Sequence, residues 1–390
     1  MKRAIRLCMM FLMGAVSWPV HAGWSVVGAT IIGRASHTAT LLSDGRVLVA
    51  GGAGDETSAE LYDPMTGTYS RTRETMAVSH PGHASTLLRD GRVLISGGGL
   101  HPRGNANEIF GVYGGNANEI FDPPTQTFTR IANLAFSRGG HTATLLDDGR
   151  VLIAGGEIVD VGLLSVHHSR VSENEIYDPV TGTFTQTGSL HTARARHTAS
   201  RLPDGRVLIA GGEASDPAIT AEIYDPISGT FSIAAPMIGP RMNHSATVLP
   251  NGNVLLAGGK DASTGYELDS AEIFDVQRMR FVPAATMPER RHSHVAALTP
   301  DGRVLIGGGE GFDSTVRTLR SAILYDPPTD RFLIAPSMHV ARSWATATTL
   351  TNGHVLVVGG RTSEPRPFDP IASEVFENEP PLSSKRRAVR

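Results

Sequence analysis

The sequence predicts an all-β fold, a seven-bladed β-propeller, and three observations carry that expectation. First, one phrase recurs along the 390 residues: a His, a Thr or Ser, a short apolar run, Asp-Gly-Arg in most copies, Val-Leu and a Gly-Gly doublet. The doublets are Gly51-Gly52, Gly97-Gly98, Gly155-Gly156, Gly211-Gly212, Gly258-Gly259, Gly308-Gly309 and Gly359-Gly360. Second, the marker position at the head of the phrase (His37, His83, His141, His197, His244, His294 and Ala345) returns at intervals of 46, 58, 56, 47, 50 and 51 residues, the period of a four-stranded propeller blade. Third, an aromatic late in each of the first six units is missing from the seventh and reappears near the N-terminus as Trp24.

The elements follow in chain order. A basic start, Met1 to Arg6, leads into an apolar stretch from Leu7 to Val16 and a small-residue exit at Val20-His21-Ala22. That order predicts a secretory signal peptide over residues 1–22, cleaved before Gly23, and a product exported to the periplasm or beyond. The stretch is too short for a membrane span, and no later segment is continuously apolar enough for one. The expected product of 368 residues runs as one propeller over 23–379, followed by a flexible basic tail, 380–390, that includes Lys385-Arg386-Arg387. Without the signal the chain carries 32 basic and 38 acidic side chains, a formal charge of −6 that argues against a nucleic-acid partner. The chain's one cysteine, Cys8, departs with the signal, so stability is expected to come from packing without disulfides.

Within a unit, Thr38 to Leu42 reads as a strand, Asp44-Gly45 as a two-residue hairpin turn, and Arg46 to Ala50 as a second strand. Gly51-Gly52 marks a turn where strands crowd, and a variable loop follows. Ala59-Glu60-Leu61-Tyr62 is a third strand, Asp63-Pro64 with Thr66-Gly67 a second turn, and Tyr69 opens a fourth strand. The fourth-strand aromatic returns as Phe128, Phe184, Phe231, Phe281 and Phe332. The seventh unit stops after Phe376, so a strand from about Trp24 to Gly28 is expected to complete the last blade and remove the open edge of the array. A local duplication, Gly104 to Phe110 and Gly115 to Phe121, lengthens the second unit and reads as a tolerated insertion in a surface loop.

The doublet, the tyrosine or phenylalanine after it and the later aromatic resemble the kelch repeat, over nearly all of the expected product and with Phe or Tyr where Trp is usual. The resemblance implies a β-propeller like the central domain of galactose oxidase. It also brings to mind the exported bacterial kelch proteins that interconvert sialic acid anomers. Copper-radical chemistry of the galactose oxidase type would need a tyrosine cross-linked to cysteine, which a product without Cys8 lacks; no cofactor and no metal site is expected.

Packing obeys the repeat, whereas a site breaks it. The arginine three before the marker (Arg34, Arg138, Arg194, Arg241, Arg291 and Arg342) and the marker histidines therefore read as scaffold, satisfying buried carbonyls. Variation collects in two places expected on one face around the channel mouth. After the doublets stand Asp55-Glu56, His101 with Arg103, Glu157, Glu213, Lys260-Asp261, Glu310 and Arg361; just before the markers stand Gly82, Gly140, Arg196, Asn243, Ser293 and Trp344. The ligand-binding candidates are Arg196, Asn243, Trp344, Glu157, Glu213, Glu310 and Arg361, a polar set with one indole able to stack on a sugar ring. His167-His168 lacks supporting ligands for a metal. No hydrolase elbow, phosphate loop or metalloprotease helix motif is present. The reading is an exported binding module for a carbohydrate or protein ligand; the alternative is a sugar anomerase, whose acid–base work needs only a placed carboxylate, Arg or His.

Overall fold

The computed structural model describes residues 22–378 other than 54–55, 79, 81, 99–110, 114, 162–165, 215–220, 314 and 363–369. Residues 1–21 of the expected signal segment, with Cys8, the basic tail, Asp55, His101, Arg103 and the first copy of the duplication lie outside the described residues. The regular structure among the described residues is strand throughout, and seven four-stranded antiparallel sheets make the blades. In blade one the strands run Thr38–Leu41, Val47–Ala50, Ala59–Asp63 and Thr68–Arg71, in that order from the channel outward. The innermost strands touch in sequence from blade one to blade seven and back to blade one, so the ring is closed.

Each second strand is a short apolar run buried along its length, as in Val47-Leu48-Val49-Ala50, because a neighbouring blade covers each of its faces. The hairpin before it differs from the two-residue turn read from Asp44-Gly45. Leu42 N–H donates to Arg46 O, and Gly45 N–H to Leu42 O, which leaves a three-residue loop with Gly45 at φ 89° closing it. A left-handed residue at the loop's end matches the strand twist, and glycine takes that geometry without steric penalty. The Asp44 carboxylate accepts from the Arg46 backbone and guanidinium, so it serves the turn as expected.

The doublets occupy the tightest point between blades. A Cβ on Gly155 would lie 2.6 Å from the Arg194 carbonyl oxygen and 2.7 Å from the His197 ring, both in the next blade. Only a bare backbone lets one blade end its second strand where the next blade enters.

The last blade closes as the aromatic count implies. Ala22–Ala29 pairs antiparallel with Ala372–Asn378, with Trp24 opposite Phe376. Their rings lie 5.1 Å apart, like the third- and fourth-strand pairs of the other blades, from Tyr62–Tyr69 at 5.0 Å to Tyr325–Phe332 at 5.0 Å. The Trp24 indole N–H also donates to Pro336 O in blade six. Trp24→Ala removes the ring that joins the two ends of the chain and should lower unfolding stability by about 3–5 kcal/mol. Urea denaturation checks this; a loss below about 1 kcal/mol would show that closure does not depend on that ring.

Candidate functional site

The repeated arginines and histidines form two scaffold layers. Each arginine is buried, and its Nη1 donates to the first carbonyl of its own blade's doublet, as Arg194 does to Gly211 O at 2.9 Å and Arg342 to Gly359 O at 3.0 Å. In five of the six its charge meets a buried glutamate on the third strand: Arg34–Glu60 2.7 Å, Arg138–Glu175 3.0 Å, Arg194–Glu222 2.9 Å, Arg241–Glu272 2.8 Å and Arg342–Glu374 2.8 Å. The same carboxylates accept backbone N–H groups of the loop before the arginine, such as His191 and Thr192 on Glu222. Blade two lacks the arginine, and His80 takes its place between Gly97 O and Glu119.

The histidines act differently from the expected carbonyl caps. Each one's Nε2 shares a hydrogen bond with a hydroxyl of the preceding blade: His37 with Thr346, His83 with Thr38, His197 with Thr142, His244 with Thr198 and His294 with Ser245, at 2.7–3.1 Å. Blade two has Ala84 where five other blades have the hydroxyl, and Ser96, opposite Ala84 on the second strand, supplies it to His141. Blade six has Val295 there, and Ala345 replaces the histidine that would have faced it, packing against the same apolar cluster. Loss of the imidazole is thus matched by loss of its hydroxyl.

Burial, and after it the charge of nearby arginines, holds these imidazoles neutral: His197 and His294 are lowered to about 3, and His37, His141 and His244 lie well below their ordinary value. They are poor general bases at neutral pH because they are engaged and shielded.

Where the blades differ, the backbone does not. The residue before each marker adopts one left-handed conformation: Ser36 φ 54°, Gly82 67°, Gly140 61°, Arg196 57°, Asn243 51°, Ser293 50° and Trp344 56°. Successive positions are linked by backbone hydrogen bonds, Arg196 N–H to Gly140 O, Asn243 to Arg196 O, Ser293 to Asn243 O, Trp344 to Ser293 O and Ser36 to Trp344 O. These residues form a collar at the channel mouth. Non-glycine residues held at positive φ carry roughly 1 kcal/mol of strain each, sustained here by the hydrogen-bonded collar. Ser36, Asn243, Ser293 and Trp344, with His37, His244, His294 and Ala345 next to them, line a cavity of about 200 Å³.

In every blade but the second, whose Gly99 lies outside the described residues, the residue after the doublet is tied to this collar. It forms a backbone bridge with the residue preceding the collar position, as in Gly139–Glu157, Ala195–Glu213, His292–Glu310 and Ser343–Arg361. The carboxylate then reaches the collar of the next blade: Glu157 pairs with Arg196 at 2.7 Å, and Glu310 accepts from the Trp344 indole N–H at 3.1 Å and from Ser343 Oγ at 2.9 Å. Glu213 also pairs with Arg196, at 3.2 Å, and with Arg170. Arg170 ends a three-stranded sheet of Gly111–Tyr113, Glu157–Val161 and Val166–Arg170 that stands apart from the blades. The candidates thus gather into an Arg196–Glu157–Glu213 cluster and a Trp344–Glu310 cluster, with Asn243 between them on the collar and Arg361 bridged to Ser343. Lys260 pairs instead with Glu267, and Asp261 caps its own turn through Ser263 and Thr264. Ser36, Ser293 and Arg170 join the site without having been among the binding candidates; Ser293 stood among the varying positions before the markers, whereas Ser36 and Arg170 carried no signal beyond being polar.

No protein-family profile matches the chain. Over 80 residues, 20% of this chain and 10% of the other, it is 36% identical to the tRNA wybutosine-synthesizing protein 4 of Saccharomyces cerevisiae, so it spans about a tenth of that relative. Among solved structures it resembles a fungal alcohol oxidase of the AA5 family in complex with copper, with TM-score 0.69, 19% identity, and coverage of 91% of this chain and 77% of that one. It also resembles YjhT, with TM-score 0.57, 15% identity, and coverage of 77% and 95%. At these identities the likeness shows the fold, a kelch-type β-propeller. The described residues form no cluster of ligands that would hold the copper of the first neighbour. No three His, Cys, Asp or Glu side chains converge among the described residues, five marker imidazoles are committed to hydroxyls across blades and His141 to Ser96, and the single cysteine lies ahead of the propeller.

Proposed function

We propose that this chain is an exported binding propeller that holds a small polar carbohydrate at its channel mouth. The observation that carries the reading is the collar. Seven residues share one backbone geometry, yet Arg196, Asn243, Ser293 and Trp344 stand in succession on one arc while Gly82 and Gly140 leave the opposite arc bare. A sugar offers an apolar ring face for the indole and hydroxyls for the amide, guanidinium and carboxylates, which match this arc. Glu157 and Glu310 hold Arg196 and Trp344 by equivalent contacts from the preceding blade, so both side chains are positioned before a ligand arrives.

A glycan array on the purified protein identifies the ligand. The Trp344→Ala, Arg196→Ala double variant should then lose at least about a hundredfold in affinity, since stacking and a charge-assisted contact go together. Its thermal unfolding should remain cooperative. Unchanged binding would move the site off the collar. Nuclear magnetic resonance of the bound sugar with catalytic amounts of protein tests the anomerase alternative: accelerated anomer exchange would replace the binding reading with an enzymatic one.

A further inference from the structure

Blade six breaks the scaffold rule away from the channel mouth. Blades one to five and seven carry the third-strand glutamate, as Glu60, Glu119, Glu175, Glu222, Glu272 and Glu374, but blade six carries Ile323. The loop has changed with it. Where Ile238 N–H donates to Glu272 in blade five, blade six has Pro288, which has no N–H to satisfy. The arginine has not changed: Arg291 is fully buried, donates to Gly308 O and Ser321, and keeps an unpartnered Nε. Its nearest anion is Glu289, two residues away on a partly exposed loop, at 3.2 Å. Glu289 is shared with Arg317 at 2.7 Å and accepts from Ser321 Oγ. Two cations therefore compete for one carboxylate. Desolvation pulls Arg291 down to about 10, offset only in part by Glu289.

The space beside these groups is open. A cavity of about 350 Å³ is lined by the polar Glu289, Arg291, Arg317 and Ser321 and by the apolar Ile323 and exposed Ile334. That volume falls in the range of small-molecule sites. We propose that this cavity is a second binding site, for a small organic carboxylate whose anion meets Arg291 and Arg317 and whose apolar body lies against Ile323 and Ile334. The guest supplies the carboxylate that blade six lacks, with Glu289 as its internal competitor.

Calorimetric titration of the full chain with sodium benzoate at constant ionic strength tests this. Wild type should bind saturably. Glu289→Gln removes the competing carboxylate and should tighten binding about tenfold, whereas Arg317→Ala should weaken it about tenfold. Ile323→Glu restores the pattern of the other blades and should abolish binding while unfolding stays cooperative. The Trp344→Ala, Arg196→Ala variant should bind benzoate like wild type, which separates this cavity from the channel mouth. No saturable binding to wild type would overturn the proposal, as would full binding to a folded Ile323→Glu or to Arg317→Ala.

Discussion

Stability should be level from pH 8 to pH 7 and fall steeply below pH 6. The cause is the ring of six marker histidines, each buried between blades. In the folded chain His83, His197 and His294 are lowered to about 3, against an ordinary value of 6.5, first by burial and then by nearby cationic side chains. Above pH 6.5 both folded and unfolded chains hold these groups neutral, so their contribution is fully present. Below it the unfolded chain takes up protons that the folded chain refuses, and stability drains away until the folded values are reached. At pH 5 each group lowered to about 3 removes about 2 kcal/mol, or roughly 6 kcal/mol for the three, comparable with the entire stability of many domains. His37, His141 and His244 shift in the same direction and add to the loss. Glu119 and Glu374, lowered from 4.5, contribute with the same sign at more acidic pH. Urea midpoints at pH 7.5 and pH 5 measure the effect; equal midpoints would refute it. The chain provides its own control at the seam of blades six and seven, where Val295 and Ala345 replace the hydroxyl and the histidine and share one apolar cluster. Copying it into blade four as Thr142→Val with His197→Ala removes one titrating group and should reduce the proton uptake on unfolding by about one.

Glu222→Ile should lower stability by about 3–5 kcal/mol, the range for leaving a buried charge without its partner. Arg194 and Glu222 are both about 1% exposed, so water cannot replace the lost carboxylate. The backbone N–H groups of His191 and Thr192 lose their acceptor as well. The same residue exists naturally at Ile323, but there Pro288 has removed a donor and Glu289 supplies an anion from the loop instead. Blade four has neither compensation, since His191 keeps its N–H and the residue matching Glu289 is Thr192. A loss below about 1 kcal/mol would mean that the arginine layer is held by its carbonyl contacts alone. The double variant Arg194→Met, Glu222→Ile separates the two contributions, because it removes the charge together with its partner.

The candidate site was legible at the level of positions and not of partners. The seven copies disagree before the markers, at Arg196, Asn243 and Trp344 among others, and after the doublets, at Glu157, Glu213, Glu310 and Arg361. That Glu157 would clamp an arginine 39 residues away, and Glu310 an indole 34 residues away, depends on how adjacent blades abut. The sealing of the Arg layer by the third-strand glutamate had a usable signal, because Glu60 and its counterparts repeat as faithfully as the arginines do.

Sequence alone determined the blade count, the strand order within a blade and the closure by Trp24, because each rests on periodic local patterning that every copy states again. Only the tertiary structure decided the left-handed collar, the neutral histidines paired with hydroxyls of the preceding blade, and the cavity at the vacated carboxylate position in blade six. The collar and the histidine pairs arise between blades, where residues distant in sequence meet, 45 to 55 positions apart in the histidine pairs or 309 at the ring's seam, and a contact of that kind leaves no period within any single repeat; the position in blade six shows in the sequence as Ile323, but the cavity beside it does not.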